Sequence, residues 1–323
     1  MKGFSNRWAD LPDYILGITQ EIWEGRGIAA LNHFYTEDVP VRTPMGIAIG
    51  NKAAMAATME TLNEFPDRQL LGEDVIWSGD EEAGFLSSHR ILSCGTHTRD
   101  GQFGPATGKS WTIRVIADCA AKDDAIYDEW MVRDYGGLVR QLGLHPRDFA
   151  QTLLERSGGA ASAVFRPEND VAGAYQGTGN DNAWGARYRN LLERIMDADF
   201  AAIHQNYDRA VIGEYAGSQQ AVGREAAAAF WLSLRAAFPN ATFTIHHVIG
   251  LDADMMSPRA AIRWSLDGAH EGWGSFGAPS GKRVHVMGVC HAEFGPYGPE
   301  GVGLRREYAL YDEVAVWMQI LAP

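Results

Sequence analysis

The chain repeats itself, and a fold must accommodate that repeat before anything else. IAALNHFY (Ile28 to Tyr35) matches FAAIHQNY (Phe200 to Tyr207) at an offset of 172 residues, after which the register settles at 173. This register pairs Gly50 with Gly223, Phe65-Pro66 with Phe238-Pro239, Val75-Ile76 with Val248-Ile249, and Arg90 with Arg263. GTHTRDGQFGPATGK (Gly95 to Lys109) then lies over GAHEGWGSFGAPSGK (Gly268 to Lys282), with identical residues at His97, Phe103, Lys109 and four glycines. At the ends, DEWMVRDYGGLVRQLG and REYALYDEVAVWMQIL align at offset 178, pairing Glu129 with Glu307, Asp134 with Asp312 and Gln141 with Gln319. The second copy thus carries five extra residues, most simply in GPYGPEGVG. Self-similarity of this extent marks a duplicated folding unit.

A length of 323 residues, 46% of them hydrophobic, suits two cores better than one. The expected division is a first domain over 1–146, a linker with a short helix over 147–183, and a second domain over 184–323. The linker is expected from the small, polar, Gly-rich run SGGAASAVFRPENDVAGAYQGTGND. A net charge of −13 repels a phosphate backbone, so nucleic acid is not an expected partner. No stretch approaches a membrane span and the start lacks an apolar signal core, so the expectation is a soluble cytoplasmic protein. Cys94, Cys119 and Cys290 are too scattered for a disulfide framework or a zinc site and are expected to be reduced.

Helical spacing joins Tyr14, Ile15, Ile18, Ile22 and Trp23, and predicts further helices over 28–35 and 53–65. Strand-like segments follow at 69–77, 84–97, 110–117 and 125–133, with Gly-rich turns between them. Helices before strands argue for an α+β fold, with helices on one face of an antiparallel sheet. Along the last segment Trp130, Val132 and Asp134 alternate onto one face and Glu129, Met131 and Arg133 onto the other. In the second copy Tyr308, Leu310 and Asp312 form the matching set.

A Gly-x-His leading through FGPATGK to a strand, then an acidic-aromatic strand ending in DEWMVRDYGGLVRQLG, resembles the SnoaL-like ester cyclases of the nuclear-transport-factor-2-like superfamily. YDEVAVWMQIL in the second copy is similar to another branch of that family. The resemblance implies two tandem cone-shaped α+β barrels, each a curved antiparallel sheet wrapped on three helices around a ligand cavity. The two would pack sheet to sheet as an internal pseudo-dimer, with further homo-oligomerisation left open. It also implies a polyketide cyclase-like aldol-type cyclisation, or related lyase or isomerase chemistry, on a small carbonyl compound, with no metal or cofactor. In the family an aspartate on the last strand is the general acid/base, which by motif position is Asp134 and, in the second copy, Asp312.

A carboxylate with a raised pKa can take a proton flanked by two carbonyl groups, and the enolate then needs a donor. His97 and His270, twinned beside tight glycine turns, are the candidate donors. Trp130, Tyr308, Trp111 and His291 are candidate ligand contacts, with His291 a proton relay to Asp312. Arg90 and Arg263 read as structural ion-pair partners, and no histidine spacing supports a metal. Asp134 ranks above Asp312 because the first copy keeps D-x-x-G-L-x-x-Q-L-G, whereas the second places Glu313 beside its aspartate and loses the glycines. Two alternatives stand beside catalysis: a noncatalytic module binding a small hydrophobic ligand, and a second copy that serves only as a structural partner.

Overall fold

The structure is a computed structural model that describes residues 1–158, 164–299 and 301–323. Helix α1 (Leu11–Thr19) begins where Asp10 accepts the amide of Asp13 at 2.8 Å, with Pro12 in the first turn. It buries Leu11, Tyr14, Ile15 and Ile18 and runs into a π-helical turn, Gln20–Glu24. There follow α2 (Leu31–Phe34), a hairpin of β1 (Pro40–Thr43) and β2 (Gly46–Ile49), and α3 (Asn51–Glu64). Four long strands complete the sheet: β3 (Gln69–Asp80), β4 (Gly84–Thr96), β5 (Ser110–Lys122) and β6 (Ala125–Arg133). The short α4 (Tyr135–Gln141) and then α5 (Pro146–Arg156) lead out of the first half.

The second half repeats the order with α6 (Ala183–Met196), α7 (Ala201–Asn206), β7 (Tyr207–Tyr215), β8 (Gln219–Val222), α8 (Arg224–Ala237), β9 (Thr242–Leu251), β10 (Arg259–Ala269), β11 (Arg283–Gly295), β12 (Gly303–Tyr311) and α9 (Glu313–Leu321). The six-stranded sheets have matching orders, β2-β1-β6-β5-β4-β3 and β8-β7-β12-β11-β10-β9. Gly50 and Gly223, paired by the repeat, enter α3 and α8 at φ of +87° and +85°, a region that L side chains avoid. The length difference sits between the last two strands: Asp123 and Asp124 turn β5 into β6, whereas residues 296–302, of which Glu300 lies outside the described residues, join β11 to β12.

Two details differ from the sequence-based expectation. Each sheet is mixed, because β1 runs parallel to β6 and β7 runs parallel to β12. Each is also open: β2 and β3 are edges of the first sheet, and the barrel is not closed. The β1–β2 hairpin escapes sequence reading because its strands have only four residues each, too few to show alternation.

The sheets pack face to face. Ile116 and Val132 of the first, with Trp130 beside them, meet Met287, Val289, Tyr308 and Leu310 of the second. Ile76, Leu86 and Ala120 meet Ile249 and Ala261. Ion pairs stitch the layers together: Arg263 Nε to Asp118 at 3.1 Å, Arg90 to Glu293 at 3.0 Å, Arg114 to Glu214 at 3.1 Å, and Arg259 to Asp74. The parity read along β6 holds, but the Trp130 face is the one between the sheets. A strand buried on both faces gives no sequence clue to which face holds the cavity.

The connection between the halves is firmly attached. Phe149, Ala150 and Leu154 of α5 pack on Val314, Ala315 and Met318 of α9. Residues 159–163, part of the expected linker, lie outside the described residues. Beyond them the chain runs as a strap: Phe165 N donates to Pro44 O at 3.1 Å, Arg42 pairs with Asp170 at 2.5 Å, and Tyr175 Oη lies 2.8 Å from His247 Nε2. No helix among the described residues is long and apolar enough to cross a membrane.

Candidate functional site

The helix-facing side of the first sheet encloses a cavity of about 580 Å³, and a second of about 420 Å³ adjoins it. Apolar residues of α1, β3–β6 and the β1–β2 hairpin form most of the larger wall, with Val164, Phe165 and Asn169 of the strap along one side. Glu129 is the one carboxylate of that wall among the described residues, and it is 4% exposed. Burial raises its carboxyl above the usual carboxylate range, against the pull of the Tyr35 hydroxyl and the Arg133 guanidinium. His89 shares the wall; burial and the neighbouring Arg90 push its pKa down to about 3, so its imidazole is neutral. Its Nε2 is buried with no hydrogen-bond partner among the described residues. Thr58, which accepts from Trp23 Nε1 at 3.3 Å, and Thr61 add hydroxyls from α3.

The cavity exists because α3 turns small side chains towards the sheet. Ala54, Ala57, Thr58 and Thr61 line it, and the 173-residue register places Ala227, Phe230, Trp231 and Leu234 of α8 at the same positions. All four α8 residues are buried in the second core. The other polar positions change in the same direction: His89 corresponds to Ile262, Arg68 to Ala241, and Arg133, at the terminal offset, to Tyr311. Glu307, the counterpart of Glu129, is fully buried and accepts four hydrogen bonds, from Tyr188, Tyr207, Tyr215 and Trp231, at 2.7 to 3.1 Å. Aromatic rings occupy in the second half the space that is open in the first.

The residues singled out from sequence fall elsewhere, with one exception. Asp134 lines neither cavity: β6 ends at Arg133, and Asp134 caps α4 by accepting Gly137 N at 3.0 Å. It also accepts Gly217 N and Ser218 N of the other half, each at 2.7 Å. Burial lifts its pKa to about 6 in spite of these donors, at the interface between the halves. Asp312 caps α9 through Val314 N at 2.9 Å, and burial raises it to about 8, with Asp134 and Glu313 adding to the rise. His97 and His270 pin the Gly-rich loops, with Nδ1 3.2 Å from Thr107 Oγ1 and from Ser280 Oγ respectively. His97 Nε2 also comes within 3.1 Å of Glu64, out of line for a hydrogen bond.

Trp130 lies between the sheets under Arg263, and Tyr308 lies there under Arg90, at 3.8 and 3.7 Å from the ring centres. His291 meets Ser88 Oγ at 2.8 Å instead of relaying to Asp312. Trp111 alone of the set lines a cavity, the smaller one. Among the described residues no group of three or more His, Cys, Asp or Glu is gathered to hold a metal ion.

The raised carboxyl of Asp312 has a measurable consequence. The folded state binds this proton more tightly than the unfolded chain, so the contribution is full below about pH 4 and is lost as pH rises through about 8. Asn caps a helix about as well as Asp and cannot ionise. Asp312→Asn is therefore expected to gain roughly 1–3 kcal/mol on the wild type between about pH 4 and 8. Urea titrations across that range check it; a gap independent of pH would refute it.

Comparison with family models agrees with this architecture. The family model described as SnoaL-like polyketide cyclase matches residues 14–142 and again 186–295, well over half the chain. Among solved structures, the chain is similar to wild-type IdmH, a putative polyketide cyclase from Streptomyces antibioticus, at 22% identity over 41% of this chain and 98% of that one, with a TM-score of 0.36. It is also similar to a putative SnoaL-like polyketide cyclase from Jannaschia sp. CCS1 at 20% identity, covering 45% of this chain and 98% of that one, with a TM-score of 0.37. TsrD from Streptomyces laurentii matches at 22% identity over 41% and 94% of the two chains, with a TM-score of 0.35. A search of curated proteins finds no match. With its family model matched in both halves, on sheets of the same strand order, the chain belongs to the SnoaL-like polyketide cyclase family as a tandem duplication.

Proposed function

We propose that the first half binds a small carbonyl compound and that Glu129, in place of Asp134, moves the proton in an aldol-type cyclisation or related enolisation. The observation that carries this reading is a buried carboxylate of raised pKa standing alone on the wall of an otherwise largely apolar cavity. The ionised carboxylate takes a proton from carbon next to a carbonyl, and the C–H electron pair moves onto the carbonyl oxygen as an enolate. Thr58 and Thr61 offer donors to that oxygen. The enolate carbon then attacks a second carbonyl of the same molecule, and Glu129 returns the proton to the new alkoxide. The second half, its core filled, is the structural partner that covers the outer face of the catalytic sheet.

Proton NMR in D2O, following deuterium exchange at the benzylic carbon of phenylacetone, tests the proposal. Wild type is expected to accelerate exchange, and Thr58→Trp, which reproduces the Trp231 plug, is expected to lose about tenfold or more. Binding without exchange, still abolished by Thr58→Trp, would favour a noncatalytic ligand-binding module. Binding that survives Thr58→Trp would remove the cavity from the account.

A further inference from the structure

Two guanidinium groups stand where the two cavities of the first half meet. Arg68, just before β3, and Arg133, at the end of β6, line both. Arg68 is 6% exposed, and its side chain makes one hydrogen bond among the described residues, from Nε to Ser93 Oγ at 3.3 Å. Neither arginine has a carboxylate at ion-pair distance among the described residues. The arginines between the sheets are paired: Arg42 with Asp128, Arg90 with Glu73 and Glu293, Arg259 with Asp74, and Arg263 with Asp118. Burial, and after it the positive charge of Arg133, push the Arg68 pKa down to about 10. Two adjacent cations with no carboxylate at ion-pair distance among the described residues, in a partly dry site, are costly, and the cost falls when an anion joins them.

Two further observations point the same way. Trp111 Nε1, on the smaller cavity, is a buried donor with no acceptor among the described residues. Of the two carboxylates on that cavity, Glu64 spends its oxygens on Gln102 N and Phe103 N at 2.9 Å, and Glu60 is solvent-exposed. The cluster therefore has donors in excess of acceptors. In the second half Ala241 and Tyr311 take the places of the arginines, so the pair accompanies the open cavity.

We propose that Arg68 and Arg133 dock a carboxylate of the ligand whose carbonyl end reaches Glu129, which makes the substrate class an anionic carbonyl compound. This rests on the function proposed above for the larger cavity. Glu129, Met131 and Arg133 share one face of β6, so the Cα atoms of the base and of the anion dock lie roughly 13 Å apart along the strand. Allowing for the reach of both side chains, the carboxylate belongs several bonds from the reacting carbon, across an aromatic ring or a chain of similar length. A neighbouring β-carboxylate is too close. The guanidinium forks fix the ligand end to end, and the rest of the wall needs only shape.

Isothermal titration of the whole protein with 4-(2-oxopropyl)benzoate and with its methyl ester, at equal ionic strength, tests the dock. The acid is expected to bind at least about tenfold more tightly than the ester. Arg68→Met and Arg133→Met are each expected to reduce that preference severalfold. Arg133 is half-buried, so Arg133→Met is expected to fold, which keeps the test open should Arg68→Met fail to do so. Equal affinity for acid and ester in the wild type, or no binding of the acid at millimolar concentration, overturns the proposal. Glu129→Gln separates it from the catalytic reading: retained acid preference with exchange lost supports both. Retained preference with exchange undiminished defeats the catalytic reading alone, and exchange lost in a protein without acid preference defeats the dock alone.

Discussion

Glu129→Gln is expected to lower catalysed exchange of phenylacetone by roughly 100-fold or more, the usual worth of a positioned general base. The amide fills the same volume beside Tyr35 and Arg133 but cannot take the proton, so the fold should survive and the rate should not. Glu307→Gln should behave in the opposite way. Its carboxylate is held by three tyrosines and a tryptophan inside a filled core, so replacement should lower the melting temperature and leave exchange per folded molecule unchanged. The pH profile carries a second signature. Because burial holds the Glu129 proton more tightly than usual, the base form appears only above the ordinary carboxylate range, and the acidic limb of kcat/KM should be displaced upward and vanish in the Gln variant. Exchange that persists in Glu129→Gln and disappears in Asp134→Asn would return the role to the aspartate.

Trp231→Ala should destabilise the protein by about 3–5 kcal/mol, the range for removing a fully buried tryptophan. Trp231 has no exposed surface, stands edge-on to Phe230 with ring centres 5.0 Å apart, and donates Nε1 to Glu307 at 3.1 Å. Its removal opens a void and takes one donor from a buried carboxylate. Thr58→Ala, at the matching position of the first half, borders space that is already empty and should cost less than about 1 kcal/mol. Urea unfolding of the pair measures the difference. Equal losses would mean that the two halves are packed alike, and the contrast between plugged and open cores would fall.

The duplication was legible because a folding unit copied in tandem keeps its turn glycines, such as Gly50 and Gly223, at one register. The α+β order was legible because the long strands β3 to β6 follow the helices. The site was less legible. The parity of β6 is plain in sequence, but Trp130 packs between the sheets, so the aromatic face drew attention while the cavity lay behind Glu129, Met131 and Arg133. Asp134 stands at the head of a short helix, where Asp is a favoured cap, and Gly136 and Gly137 after it mask the helix in propensity terms. One signal was present without being usable alone: the change from Ala57-Thr58 to Phe230-Trp231 across the repeat. It gains meaning only once the face that α3 and α8 turn to their sheets is known.

The central claim, an open ligand site in the first half and a filled core in the second, is tested most directly by methyl NMR of the protein labelled with ¹³C at its methionine methyl groups. Met45 and Met131 line the larger cavity, whereas Met196 is buried in the core of the second half. On titration with 4-(2-oxopropyl)benzoate or phenylacetone, the Met45 and Met131 signals should shift and saturate together while Met196 stays in place. Movement of Met196 with Met45 and Met131 unchanged would put the ligand in the second half and contradict the account.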